Sequence, residues 1–398
     1  MSARQPGGNM AVLELAEPGE GALKYQDSLD RIVKEIVVPG AESVDRSGSF
    51  PREAVAALAE TGLLALTVPT EYGGGGEGLR AATDVVRQLS AACGSTAMVT
   101  MMHYSAVAAL AATGRADELR EVAAGRHLST LAFSETGSRS HFWAPVSTAT
   151  DDGDEVRLDA RKSWVTSAGH ADSYVWSSRP LAAAGPMSLW LVRTGTEGLS
   201  VGPEFDGLGL RGNDSRPVTG SDVRVSRTAL LGADGTGLDL ALTAVLPWFL
   251  LLNAAASVGL MQAVTREATG HLTRTRLGHL DRSLAQQPES RAVLARMRIE
   301  TDRTRALLDS TLTALEQGDD EAQLLVLEVK AAADGSAAEV ADLAMTVCGG
   351  AAFRKELGIE RRFRDSRAAR VMAPTTPALL DFVGRALTGL PLLDGPAQ

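Results

Sequence analysis

The segment LDLALTAVLPWFLLLNAAASVGLMQAV, residues 238 to 264, limits what this chain can become more than any other stretch does. A run so long and so apolar needs cover on every side, from lipid or from the interior of a large protein. Pro247 and Asn253 interrupt it and nothing polybasic flanks it. It therefore reads as the central helix of a large core, and no membrane partner is expected. The chain has 398 residues, enough for one large core or two to three layers.

The cover has to come from the rest of the sequence, which falls into three parts. Over 23–39, 51–64 and 78–93 apolar residues recur at three- and four-residue spacing, predicting helices. Pro51 after Ser49 suits a first-turn proline. The VPTEYGGGGEG stretch between the second and third must be loop, and a helix pair at 96–113 and 115–124 closes the segment at Gly125. From 128 the pattern becomes short: LSTLAFSE, WAPVSTAT, EVRLDA, SWVTSA, SYVWSS, MSLWLVRT, LSVGPE and PVTGSDVRV are rich in β-branched and aromatic residues. Turn residues such as DDGD separate them, as in an antiparallel sandwich or barrel. Long helices return at 237–270, 288–316 and 319–348, with a shorter one at 376–388, and such a series argues for a bundle. The expected fold class is α+β: a tail over 1–22, an N-terminal α-helical domain over 23–127, a central antiparallel β domain over 128–233 and a C-terminal four-helix bundle over 234–398.

A formal net charge of −10 and the lack of any basic run exclude a nucleic-acid partner, because phosphate binding needs a basic face. Cys93 and Cys348 lie far apart with no His or Cys at ligand spacing. Neither a disulfide framework nor a metal site is expected, and a reducing cytoplasm is the expected location. The opening MSARQPGGNMAVLELAEPGEGAL lacks the basic-then-apolar order of a secretory peptide.

Six stretches follow one another at telling intervals: VPTEYGGGG (68–76), LAFSETGSRS (131–140), RKSWVTSAGHADSYV (161–175), LGLRGNDSRPVTGSDVRV (208–225), RTRLG (274–278) and CGGAAFRKELGIERRFRDSR (348–367). Each alone is weak. In this order they resemble the acyl-CoA dehydrogenase superfamily, with its Pro-x-Glu-Tyr-Gly-Gly loop, its Gly-x-Lys-x-Trp-Ile-Thr strand and its Tyr-Arg-Asp-Ala-Arg segment. The resemblance implies FAD between the β domain and the C-terminal bundle, in a homodimer or homotetramer whose second subunit completes the site. By that resemblance the flavin is held by Phe133, Ser134, Trp164, Thr166, Ser167, Gly349, Gly350 and Thr375, and Arg274 reaches the pyrophosphate of the neighbouring subunit's FAD. The chemistry agrees, since a flavin needs an apolar wall and donors along its polar edge, and a guanidinium fork suits phosphate oxygens. Trp164 equally suits a sandwich core, Arg274 a solvated helix end, and the glycine pair a helix terminus.

The stretch RDSRAARVMAPTT (364–376) carries the departure. In the family this segment runs on to Ile-Tyr-Glu-Gly-Thr, and the glutamate removes the α-proton of an acyl thioester while hydride leaves the β-carbon. Counting from Arg364 and Asp365 puts Ala373 at that position. Some members carry the base on the helix after the β domain; aligned on GLMQ (259–262), that position is Phe249. The Asp and Arg that hold substrate in the family fall at Pro247 and Leu250. Neither base is present, and general base catalysis is worth about 10²–10⁴ in rate.

Three functions stay open on these residues. One is specialised oxidation of an acyl thioester, on CoA or a carrier protein, with a non-standard base; Glu135, Glu356, Glu360 and Asp381 are carboxylates in reach by sequence. Another is a flavin-dependent monooxygenase acting through a C4a-peroxyflavin on a small organic substrate, with a separate flavin reductase or electron acceptor as partner. Other branches of the superfamily lacking the glutamate work this way, and the histidines His103 and His141 suit such a site. His103 also suits helix packing, and His127 and His170, in turns, are expected to be exposed. The last is a catalytically degenerate binding protein, which the retained flavin motifs argue against.

Overall fold

The computed structural model describes residues 20–138 and 141–393. The tail expected over 1–22 lies outside the described residues as far as 19, and from Glu20 the chain is already helical. Six helices form the N-terminal part: α1 (Glu20–Ile32), α2 (Val38–Ser47), α3 (Arg52–Glu60), α4 (Leu79–Ala92), α5 (Gly94–Ala112) and α6 (Ala116–Ala123). The helix expected to stop at Pro39 continues to Ser47. A π-helical turn at Val33–Val37 precedes the proline. Pro39 cannot donate to the carbonyl four residues back and its ring crowds that carbonyl, so the helix widens upstream and passes it. The same arrangement recurs at Pro247, which follows a π-turn at Ala241–Val245.

Two four-stranded sheets make the middle layer. Their strands are β1 (Ser129–Ala132), β2 (Thr148–Asp152), β3 (Glu155–Val165), β4 (Ser173–Ser178), β5 (Ser188–Arg193), β6 (Leu199–Val201), β7 (Arg216–Ser226) and β8 (Leu230–Leu231). One sheet has the order β1-β4-β5-β8, the other β2-β3-β7-β6. EVRLDA and SWVTSA, read as two strands, belong largely to the single long β3. The expectation of an antiparallel layer needs one correction: β1 and β4 run parallel, with Ser129 opposite Ser173. Between them the chain visits the other sheet as β2 and β3 and returns in the same direction, as parallel neighbours require. Val156, Leu158, Trp176, Trp190, Val218 and Val223 fill the space between the sheets.

The C-terminal part comprises α7 (Gly237–Leu240), α8 (Leu246–Arg274), a two-residue-stranded hairpin of β9 (Arg276–Leu277) and β10 (Arg282–Ser283), α9 (Pro288–Gln317), α10 (Ala322–Cys348), α11 (Ile359–Asp365), α12 (Ala368–Val371) and α13 (Thr376–Leu387). The apolar segment 238–264 is α8 with its lead-in, and 78% of its most apolar window is buried inside the protein. It packs against α4 and α5 on one side and α9 and α10 on the other. Long enough to cross a bilayer, it spends its apolar surface on the protein's own core.

Candidate active site

The chain leaving β1 runs beside the end of β3: the Ser163 N–H donates to the Ser134 carbonyl at 2.9 Å and the Thr136 N–H to the Arg161 carbonyl at 3.0 Å. Beneath this edge Lys162 and Glu135 form a fully buried ion pair. The ammonium also donates to the carbonyl and hydroxyl of Ser177, at 2.6 and 2.8 Å. Glu135 accepts from the backbone of Val146 and Ser147, at 2.7 and 2.9 Å, and from the Ser147 hydroxyl. Burial drives the Glu135 carboxyl pKa upward, but Lys162 and Ser147 outweigh it and hold the group below the usual carboxylate range. As a candidate base Glu135 is spent on closing the loop from 135 to 147.

One residue further, β3 carries an extra residue against β7, since Lys162 faces Val218 and Val165 faces Arg216. Such a bulge re-aims a side chain. Here it turns Trp164, at φ 59°, out of the sheet and leaves it 69% exposed. Thr166 and Ser167 follow, both buried, and Ser167 is again left-handed at φ 58°; its N–H donates to the Asn213 carbonyl at 2.9 Å. Phe133 and Ser134 are half-buried at the same edge. Among the described residues no side-chain hydrogen bond uses the hydroxyls of Ser134, Thr166 or Ser167. The edge fits a flavin on these observations: an uncovered indole plane beside free donors. It does not fit the alternative of Trp164 as a sandwich-core residue.

The remaining expected FAD contacts are dispersed over the C-terminal part. Arg274 is exposed at the end of α8, with no carboxylate partner among the described residues. Gly349, at φ 56°, ends α10, and both it and Gly350 have open space where a Cβ would stand. Thr375 is the half-buried N-cap of α13.

Three residues of RDSR fix the segment in which the resemblance places the family's base. Arg364 holds both carboxylate oxygens of Asp45 on α2, at 2.9 and 2.6 Å, and Glu360 and the Leu208 carbonyl as well. Asp365 accepts the Leu210 N–H at 2.7 Å, and burial pushes its carboxyl up to about 6. Arg367 reaches Asp342 of α10 at 2.5 Å and lies over the Phe363 ring. All three parts of the fold are thereby tied to this one turn. A second anchor escaped sequence reasoning. Lys330 of α10, fully buried, donates to Asp334 at 2.8 Å and to the carbonyls of Ala369, Met372 and Pro374 at 3.0, 3.4 and 3.2 Å. Thr376 donates to the same Asp334 oxygen at 3.1 Å. Burial lowers the Lys330 pKa and raises that of Asp334, and each group opposes the shift of the other. The available signal was a Lys and an Asp four residues apart in a helix otherwise dominated by apolar residues.

The clamped loop thus presents a methyl group at residue 373. α8 meets this loop through Asn253, whose amide N–H donates to the Met372 thioether at 3.8 Å; earlier on the same helix Pro247, Phe249 and Leu250 are all buried. The HFW turn packs against α13. Trp143 packs edge-on against Phe142, His141 and Phe382 of α13, with ring centroids 5.2, 4.9 and 5.4 Å apart. His141 is exposed, its Nδ1 at 3.1 Å from the Ser138 carbonyl.

His103 is not among these residues. It is fully buried in α5, Nε2 donating to the Leu64 carbonyl and Nδ1 accepting the Ser129 N–H, each at 3.1 Å. Burial lowers its pKa to about 4. Both nitrogens are committed to backbone, so the geometry makes it a neutral packing residue. His127, expected to be exposed, is buried against the Ser173 hydroxyl at 2.8 Å. His170 is half-buried on Phe50. The other candidate carboxylates are paired: Glu356 with Arg354, Glu360 with Arg364, Asp381 with Arg385.

Comparison with known proteins settles the family. The acyl-CoA dehydrogenase N-terminal domain matches residues 20–123, the middle domain 130–223 and the C-terminal domain 235–388. The chain belongs to the acyl-CoA dehydrogenase superfamily. It is an FAD-dependent oxidoreductase. It is 28% identical to cyclohex-1-ene-1-carbonyl-CoA dehydrogenase of Syntrophus aciditrophicus, over 89% of this chain and 86% of that protein. Butyryl-CoA dehydrogenase from Megasphaera elsdenii superposes with a TM-score of 0.87 at 19% identity, over 94% and 99% of the two chains. The prolyl acyl carrier protein oxidase AnaB superposes at 0.85 with 17% identity, over 94% and 100%. An FAD complex of PigA does so at 0.86 with 17% identity, over 94% and 99%. At such identities the superpositions speak for the fold.

Proposed function

We propose that this acyl-CoA dehydrogenase relative oxidises an acyl thioester, carried on CoA or on a carrier-protein arm, without a carboxylate at either of the family's base positions. One observation carries this: the segment 364–376 is anchored by Arg364, Asp365, Arg367 and Lys330, yet it carries Ala373. A site abandoned altogether has no need for so many anchors. The bound FAD supplies the hydride acceptor. Trp164 gives it a wall and Ser134, Thr166, Ser167 and Thr375 offer hydroxyls along its edge. Arg274 of a second copy would pair with its pyrophosphate, in a dimer or larger assembly. Phe249, Leu250, Trp143 and Phe382 keep the acyl chain dry. The α-proton leaves without residue 373, so turnover is confined to acyl groups whose α-proton another group removes or the acyl chain itself acidifies. The two cysteines are free and buried, which supports a cytoplasmic location.

Substituting Ala373→Glu restores the missing acceptor. The variant should oxidise simple acyl-CoAs about 10²–10⁴ faster than the parent, read as bleaching of the flavin band under anaerobic titration. No gain in a variant that keeps its FAD would show that the pocket is shaped for something other than a simple acyl-CoA. In that event the exposed His141 beside Trp143 favours the second reading, hydroxylation of a small organic molecule by reduced enzyme and dioxygen, checked by product analysis after mixing the two. A purified protein that binds no FAD would overturn both.

A further inference from the structure

Asn253 is 2% exposed, and its two polar atoms are unequally served. A thioether sulfur can only accept, so the amide NH₂ must face Met372 and the carbonyl oxygen must point elsewhere. That oxygen is buried with no hydrogen-bond partner. A buried, unpaired acceptor is destabilising, and its persistence calls for an explanation. The position supplies one. Asn253 lies one helical turn beyond Phe249 on the same face of α8, and its partner Met372 immediately precedes Ala373. By helical spacing on one side and by this contact on the other, the carboxamide thus adjoins the two positions where the resemblance puts the family's base, and its helix neighbours Phe249 and Leu250 are apolar and buried.

We infer that Asn253 is a specificity-determining residue whose free carbonyl oxygen accepts a hydrogen bond from a hydroxyl or amino group on the acyl chain, within a few bonds of the thioester. The substrate class is thus a hydroxyacyl or aminoacyl thioester rather than a plain saturated one. The inference rests on the thioester reading above and narrows it. A site built around an acceptor discriminates against the analogue that lacks the donor, because the acceptor is then left unpaired.

The test uses the full-length FAD-loaded protein with butyryl- and 3-hydroxybutyryl-pantetheine, whose arm is common to CoA and carrier proteins. Binding is followed anaerobically by calorimetry and by perturbation of the flavin spectrum. The parent should bind the hydroxy ester about tenfold more tightly, and Asn253→Leu should abolish the preference while raising the melting temperature, since the variant removes an unpaired polar atom. A purely structural asparagine would lower the melting temperature on substitution and leave the preference alone. Asn253→Ala, a smaller change, guards against a leucine too bulky to fold. Equal binding of both esters by the parent, or a preference that survives in the variants, overturns the inference and leaves thioester binding standing. Failure of both esters to bind overturns the thioester reading and the inference with it.

Discussion

Lys330 can be neutralised alone or together with its partner Asp334, which separates the loss of the pair from the cost of an orphaned carboxylate. Lys330→Met keeps the aliphatic stem but strands Asp334, fully buried, and leaves the carbonyls of Ala369, Met372 and Pro374 without their donor. Breaking a buried pair on one side typically costs about 3–5 kcal/mol, much of it from the orphaned partner. Urea unfolding should show a loss of that order for the single variant and a smaller one for Lys330→Met with Asp334→Leu. A single variant within about 1 kcal/mol of the parent would show that the clamp does not hold the loop. Asp365 makes a pH prediction. Its folded pKa of about 6 lies above the unfolded value of about 3.9, so the folded state binds the proton more tightly. The stabilising contribution is complete below about pH 4 and is lost as the pH rises through about 6, on the order of 2–3 kcal/mol. Asp365→Asn keeps an acceptor for the Leu210 N–H and should flatten this slope, seen in melts between pH 4 and 8; an unchanged slope would refute it. The place of Ala373, nine residues beyond Arg364, was read by counting along a motif. The exposure of Trp164 was not, because one extra residue in β3 reverses the direction of a side chain without leaving a mark in composition. Nor was the neutrality of His103, which depends on two backbone groups supplied by distant segments.

At the scale of elements, helix existence was plain from spacing, and the exceptions have local causes. The helix read as ending at Pro39 does not end there, and Pro247 does not break the central one. In each the chain admits a π-turn just before the proline, and packing of the surrounding helices decides whether the chain resumes its course. What no periodicity reveals is how closely α4 and α8 approach. A Cβ on Gly259 would stand 2.0 Å from the Arg87 carbonyl oxygen and 3.2 Å from the Ala91 nitrogen, so two backbones meet where a side chain would ordinarily separate them. Gly259→Ala must push α4 from α8 along much of their contact, and overpacking of this kind costs about 1–3 kcal/mol or more. The loss should appear as a lower urea midpoint with an unchanged slope. A neutral Gly259→Ala would mean the helices slide apart freely, contrary to the close packing of α8 in the core.

For the whole molecule, the distribution of apolar surface makes the last prediction. Large side chains on this protein are mostly inside, yet α13 shows Leu380 and Leu387 on the face opposite its buried Leu379 and Phe382. Val371 before it and Leu390 after it are exposed as well. Single exposed leucines are ordinary, but several large ones around one helix mark an association surface. A net charge of −10 opposes self-association only weakly at physiological salt, where fields fade over about 8 Å. Light scattering should therefore give a mass at least twice the 41.6 kDa of the chain. Leu380→Glu with Leu387→Glu, which buries two carboxylates in that surface on assembly, should shift the protein toward monomer. If Arg274 of one copy serves the FAD of another, the same pair should release FAD although neither residue is among the proposed flavin contacts. A parent that is monomeric at micromolar concentration with FAD bound would show that one chain builds the flavin site alone, and would remove Arg274 from it.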